Sequence, residues 1–204
     1  MFRTVTTVTL SVCALTSAAH ADLLASWSFD TGSASPDFAA SGVTVSDFFS
    51  ANGATGSASL GHWNAGNWST SSFDARYTGF TITADAGKEV TLESFDNWNW
   101  WWDGASSSGQ SGRLIIEYPG GDWLVNLPGA SGVSGGGQNG RDDDFPDIVL
   151  QPGESATFKW QAEGRSGGVL NLDEVRINGS VVPTPGSAAL LAVAGVLGLR
   201  RRRA

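Results

Sequence analysis

The chain encodes an all-β fold, a two-sheet β-sandwich of jelly-roll type flanked by an N-terminal signal peptide and a C-terminal hydrophobic helix. Three observations lead to that expectation. Short runs of alternating apolar and polar residues recur through 22–183, and none follows the 3.6-residue helical period. Clusters of Gly, Ser, Asn, Asp and Pro divide the runs, and these are residues that end strands and make turns. About 160 residues remain once both ends are set aside, enough for one core and one domain.

The runs can be taken in order. Leu23, Ala25, Trp27 and Phe29 alternate with small or polar residues, so they share one face of an opening strand. Phe80 and Ile82 alternate with threonines, and Val90 and Leu92 follow. Leu114, Ile116 and Tyr118 form a face, Pro119-Gly120-Gly121-Asp122 makes a turn, and Trp123, Val125 and Leu127 form the returning face of a hairpin. After the turn Gln151-Pro152-Gly153-Glu154, Ala156, Phe158 and Trp160 make another strand, and Val175 and Ile177 close the domain. Many short strands without helices form two packed sheets.

The first 21 residues read as a secretory signal. Arg3 supplies the positive charge, 5–19 is uncharged and mostly apolar or small, and Ala19-His20-Ala21 is a cleavage site, so the mature chain starts at Asp22. Cys13 does not make this a lipoprotein signal, because bulky Val12 precedes it and too little apolar chain lies ahead of it.

The other end has three parts. Val182-Pro183-Thr184-Pro185-Gly186 is followed by an uncharged run, 187–199, and then by Arg200, Arg201, Arg202 and Arg203. As a helix that run spans about 20 Å, short of a hydrocarbon core of about 30 Å, and the arginines stay on the cytoplasmic side. The three parts resemble the PEP-CTERM sorting tail, with Thr184 in place of the glutamate of the name-giving Pro-Glu-Pro. The resemblance covers the last residues only. It implies an exosortase-type processing enzyme, beside signal peptidase, and a protein exported to the envelope or surface that the tail anchors transiently in the inner membrane. The expected organisation is signal peptide 1–21, sandwich 22–181 and sorting tail 182–204.

Composition excludes several functions. Between the two ends lie all 20 acids and seven basic residues, Arg76, Lys88, Arg113, Arg141, Lys159, Arg165 and Arg176, a formal charge of −13 against −8 for the full chain. Nucleic acid and anionic headgroups are poor partners for such a surface. The mature part has no cysteine and one histidine, His62, which removes disulfides, thiol nucleophiles and Cys/His zinc sites. No Gly-x-Ser-x-Gly elbow accompanies His62, which reads as a surface or half-buried aromatic. No glycine-rich stretch opens a helix pattern, so phosphate loops fail too.

The mature domain also resembles the β-rich passenger domains that precede PEP-CTERM tails, through Ser26-Trp27-Ser28-Phe29-Asp30, Tyr77-Thr78-Gly79-Phe80-Thr81-Ile82-Thr83, and the stretches beginning at Leu150 and Leu172. Its closing strand, Asp173-Glu174-Val175, is similar to the last strand of jelly-roll carbohydrate-binding modules.

Three features are candidate sites. In Trp98-Asn99-Trp100-Trp101-Trp102-Asp103, alternation puts Trp98, Trp100 and Trp102 on one face, in phase with Val90 and Leu92, and so in the core unless a bulge intervenes. Trp101 takes the other face with Asn99 and Asp103. An exposed indole stacks on the C–H face of a pyranose while polar neighbours take its hydroxyls, so these three residues, with Trp63 and Trp68 as loop aromatics, form a candidate sugar platform; a partner-protein patch is the other exposed reading. Second, Asp142, Asp143, Asp144 and Asp147 lie after a glycine-rich stretch, and carboxylates on a loop are either solvated or chelate Ca²⁺. Third, Asp173 falls in phase with Val175 and Ile177 on the inner face, where a carboxylate needs a partner. The jelly-roll resemblance implies a structural calcium there, shared with Asp30 of the first strand.

No catalytic residues emerge. The expectation is a non-enzymatic structural or adhesive protein of the envelope or extracellular matrix. The alternatives are a surface carbohydrate-binding module and a polysaccharide hydrolase of unrecorded type. No cofactor is required, and polysaccharide is the candidate external partner.

Overall fold

The computed structural model describes residues 22–59, 61–68, 73–103, 111–127, 141–163 and 168–184. The described residues are all-β. In chain order the strands are β1 (Asp22–Trp27), β2 (Phe38–Ala39), β3 (Val43–Val45), β4 (Phe49–Ala51), β5 (Thr55–Ser59), β6 (His62–Gly66) and β7 (Tyr77–Ala84). They continue with β8 (Lys88–Asp103), β9 (Ser111–Tyr118), β10 (Gly121–Leu127), β11 (Arg141–Leu150), β12 (Ser155–Glu163), β13 (Val169–Asp173) and β14 (Val175–Pro183). One sheet runs β2-β1-β14-β8-β13-β6-β5, with β11 also on β8; the other runs β10-β9-β12-β7-β3, with β4 also on β7.

The two sheets bury their inner faces against each other in a sandwich-like arrangement. Phe80 and Ile82 of β7, Leu114 and Ile116 of β9, and Ala156, Phe158 and Trp160 of β12 are fully buried, as their alternation predicts. Phe80 lies opposite Phe158 in the register, and their rings stack at 4.7 Å. From the larger sheet, Trp27 meets Phe80 at 4.1 Å and Phe95 meets Phe158 at 5.2 Å, so aromatic contacts join the layers. Gly79 is required where β7 meets β12: a Cβ there would stand 1.8 Å from the Phe158 carbonyl oxygen.

The opening strand differs from its expected alternation. A register shift between Leu23 and Ala25 turns Leu24 and Ala25 both inward and leaves Leu23 exposed. Phe29 is buried beyond the strand end, in a left-handed conformation (φ 58°). The run 141–147 is not a loop. It lies in β11, paired with β8, and Phe145 is buried against Phe95 and Trp123. The last strand runs through Pro183, which pairs with Lys88, so the sheet extends two residues beyond the expected boundary at 181.

β8 carries two irregularities. Against β14, the register steps from Ser94↔Asn178 to Leu92↔Gly179, so β8 has one extra residue there. Against β11, it steps from Phe95↔Asp143 to Trp98↔Arg141, a second extra residue. Each extra residue reverses the face of every later side chain in the strand. The first explains why Leu92 and Phe95 are both buried despite odd spacing. Beyond the second, the register pairs Trp100 with Leu172 and Trp102 with Leu170, and the two leucines are fully buried.

Candidate functional site

Strands β5, β6, β13 and β8 lie side by side at one end of the larger sheet. Leu170 and Leu172 of β13, and Trp63 and Ala65 of β6, face the core. The residues alternating with them face away. Two rows result. One row is Ser57, Asn64, Asn171 and Trp101, each opposite the next. The other is Ser59, His62 and Asp173, with His62 and Asp173 set side by side by continuing the β6–β13 register one step. Four strands at about 4.8 Å spacing make this face about 14 Å wide.

Trp101 is half-buried, and its ring meets His62 edge-on at 5.2 Å. Asn171 is fully buried although it alternates with core leucines. Side chains on the outer face therefore cover it.

Asp173 stands where the sheet forks. β14 continues beside β1, whereas β13 continues beside β6. At the fork Glu174 adopts a left-handed conformation (φ 49°) and Phe29 does the same where β1 ends. The Gly61 N–H donates to the Phe29 carbonyl at 3.2 Å and ties the two departing chains together. The positive φ at Glu174 breaks the expected phase, so Asp173 does not join Val175 and Ile177 in the core; it is half-buried beside Asn171's row. Its Oδ1 accepts the Glu174 N–H at 2.7 Å. Burial, chiefly, pushes its pKa from 3.8 up to about 6. The charges of Glu174 and Asp30 add to the rise, and the Glu174 N–H and His62 oppose it.

Trp63 and Trp68, expected on a sugar platform, are core residues. The Trp63 indole N–H donates to Thr78 Oγ1 at 2.6 Å, and the Trp68 N–H donates to the Ala65 carbonyl at 3.0 Å, so each polar handle is satisfied inside. The cause is that 62–66 is a strand, which turns Trp63 inward and His62 and Asn64 outward. Asn64 and Asn171 were missed by sequence reasoning. Their only sequence signal is alternation with Trp63, Ala65, Leu170 and Leu172.

The expected calcium ligands Asp30 and Asp173 are close enough to couple electrically. Even so, among the described residues no group of three or more His, Cys, Asp or Glu is disposed to hold a metal ion. Asp147 is exposed on β11. The side chains of Asn99, Asp103, Asp142, Asp143 and Asp144 lie outside the described residues, as do Ala19, Ala21, Pro185, Gly186 and Arg200 to Arg203.

No family model and no curated protein matches the sequence. Among solved structures, the chain is similar to the CBM22-1 xylan-binding domain from Paenibacillus barcinonensis Xyn10C, at 14% identity and a TM-score of 0.40, over 80% of this chain and 97% of that one.

Proposed function

We propose that the protein is an exported, non-enzymatic surface protein whose sandwich is adhesive, and that it adheres to carbohydrate through the Trp101 face. One observation carries the reading. Trp101 is half-buried on the side away from the core, at the end of a row that holds exposed Ser57 and half-buried Asn64, with Asn171 covered between them. An indole offers an apolar plane to a pyranose ring, and flanking polar groups recognise its hydroxyls without catalysing anything.

Export and sorting follow from the two ends of the chain. The signal peptide 1–21 directs export. The tail holds the chain in the inner membrane until an exosortase-type enzyme acts on the Pro183–Gly186 signature, and the sandwich is then displayed at the surface.

A glycan array probed with the purified protein tests the adhesive reading. Retention on at least one class of oligosaccharide is the expected result. An array blank throughout, with the protein folded, contradicts it, and a partner-protein patch then becomes the better account of Trp101.

A further inference from the structure

We propose that the Trp101 face selects glycans bearing free amino groups and rejects uronic acids, an inference that rests on the carbohydrate reading above. Asp173 lies one row along from Trp101, so a ring stacked on the indole brings its substituents near the carboxylate. Two positions along a strand are about 6.6 Å apart.

The surroundings of Asp173 decide the sign of the charge that fits. Among the described residues Asp173 forms no ion pair, and its one hydrogen bond is from the Glu174 N–H. Asp30 stands across the fork and adds a second negative charge. On the neighbouring elements, Glu174 is a third acid, His62 on β6 is the titratable base that faces it, and Arg176 is exposed on β14, set in the register opposite Ser26 and Asp96. A half-buried carboxylate without a counter-ion is costly and favours the arrival of a cation. An ammonium on the sugar supplies that cation and the hydrogen-bond donors together. A uronic acid brings a like charge to the same place. The acidic balance of the whole chain, −8, acts in the same direction at longer range. The raised pKa of Asp173 is a consequence of the same arrangement, and an arriving ammonium reverses it, so binding releases a proton near pH 6.

The test is calorimetric titration of the chain at pH 6.5 and low salt with three probes: a glucosamine oligomer, its N-acetylated counterpart and a galacturonic acid oligomer. The amine is expected to bind about tenfold more tightly than the acetylated form or better, with the uronic acid weakest. Asp173→Asn should bring amine and acetylated forms within about twofold, and Trp101→Ala should weaken every probe. Asp30→Asn, at an exposed residue, should lower the preference less, and a single cooperative melting transition in each variant establishes that it is folded. Equal binding of amine and acetylated forms by the parent, or a preference that survives Asp173→Asn, overturns the inference while leaving the carbohydrate reading intact. Binding of none of the probes overturns both.

Discussion

Trp101 and His62 come from strands on opposite sides of β13, yet their rings meet edge-on with centroids 5.2 Å apart. Two strand spacings separate β8 from β6, about 10 Å. The rings therefore reach toward each other across β13, which accounts for the complete burial of Asn171 on a face that points away from the core.

That placement separates two tryptophans by stability. Trp63→Ala removes a buried indole packed against Phe29 and Phe48 and breaks its bond to Thr78, so a loss of about 3–5 kcal/mol is expected. Trp101→Ala removes a half-buried ring outside the core and should cost under about 1.5 kcal/mol. Urea unfolding of both variants checks this; equal losses would contradict the assigned faces.

Asp173 sets a pH dependence. Its folded pKa of about 6 lies above the ordinary 3.8, so the folded chain holds the proton more tightly than the unfolded one. The stability this contributes is fully present below about pH 3.8 and is lost as pH rises through about 6. The total is at most about 3 kcal/mol, less whatever solvent screening removes. Asp173→Asn should remove this component and stabilise the protein above pH 7. Melting curves between pH 4 and 8 check it, and a variant with the parent's pH slope would contradict it.

Two glycines make a contrasting pair. At Gly79 a Cβ would meet the backbone oxygen of Phe158 at 1.8 Å, and neither strand can give way inside the sheet. Gly79→Ala should lower stability by more than about 2 kcal/mol. At Gly66 the nearest atom to a Cβ is Thr55 Oγ1 at 3.5 Å, so Gly66→Ala should change stability by less than about 1 kcal/mol. Thermal melts decide between them.

The sheet layers were legible in the sequence because alternation survives in β7, β9, β10 and β12, where no residue is inserted. It failed in β1, where a shift at Leu23/Ala25 turns two neighbours inward. In β8 two shifts cancel, so alternation places Trp101 on the outward face although the strand is not regular. Among the expected platform residues with described side chains, the outward face was legible at Trp101 alone. Trp63 and Trp68 were misplaced because a Gly- and Asn-rich stretch conceals the strand at 62–66. Asp173 was misplaced because a non-glycine residue at positive φ, Glu174, leaves no mark in the pattern. Long-range pairing brings Asn64, Asn171 and Trp101 into one row, and local sequence does not encode it.

Replacing Pro183 and Pro185 by Ala should leave an unprocessed form in the inner membrane. Mass spectrometry of surface-exposed protein is the check, and an intact Arg200 to Arg203 end on it would contradict processing.

The central claim is that Trp101 meets carbohydrate. The most direct measurement is the affinity of the parent and of Trp101→Ala for whichever oligosaccharide the parent retains, with both proteins shown to be folded by a cooperative melt. A loss of tenfold or more in the variant, about 1.4 kcal/mol, is the predicted result. Equal affinity in the two proteins would contradict it.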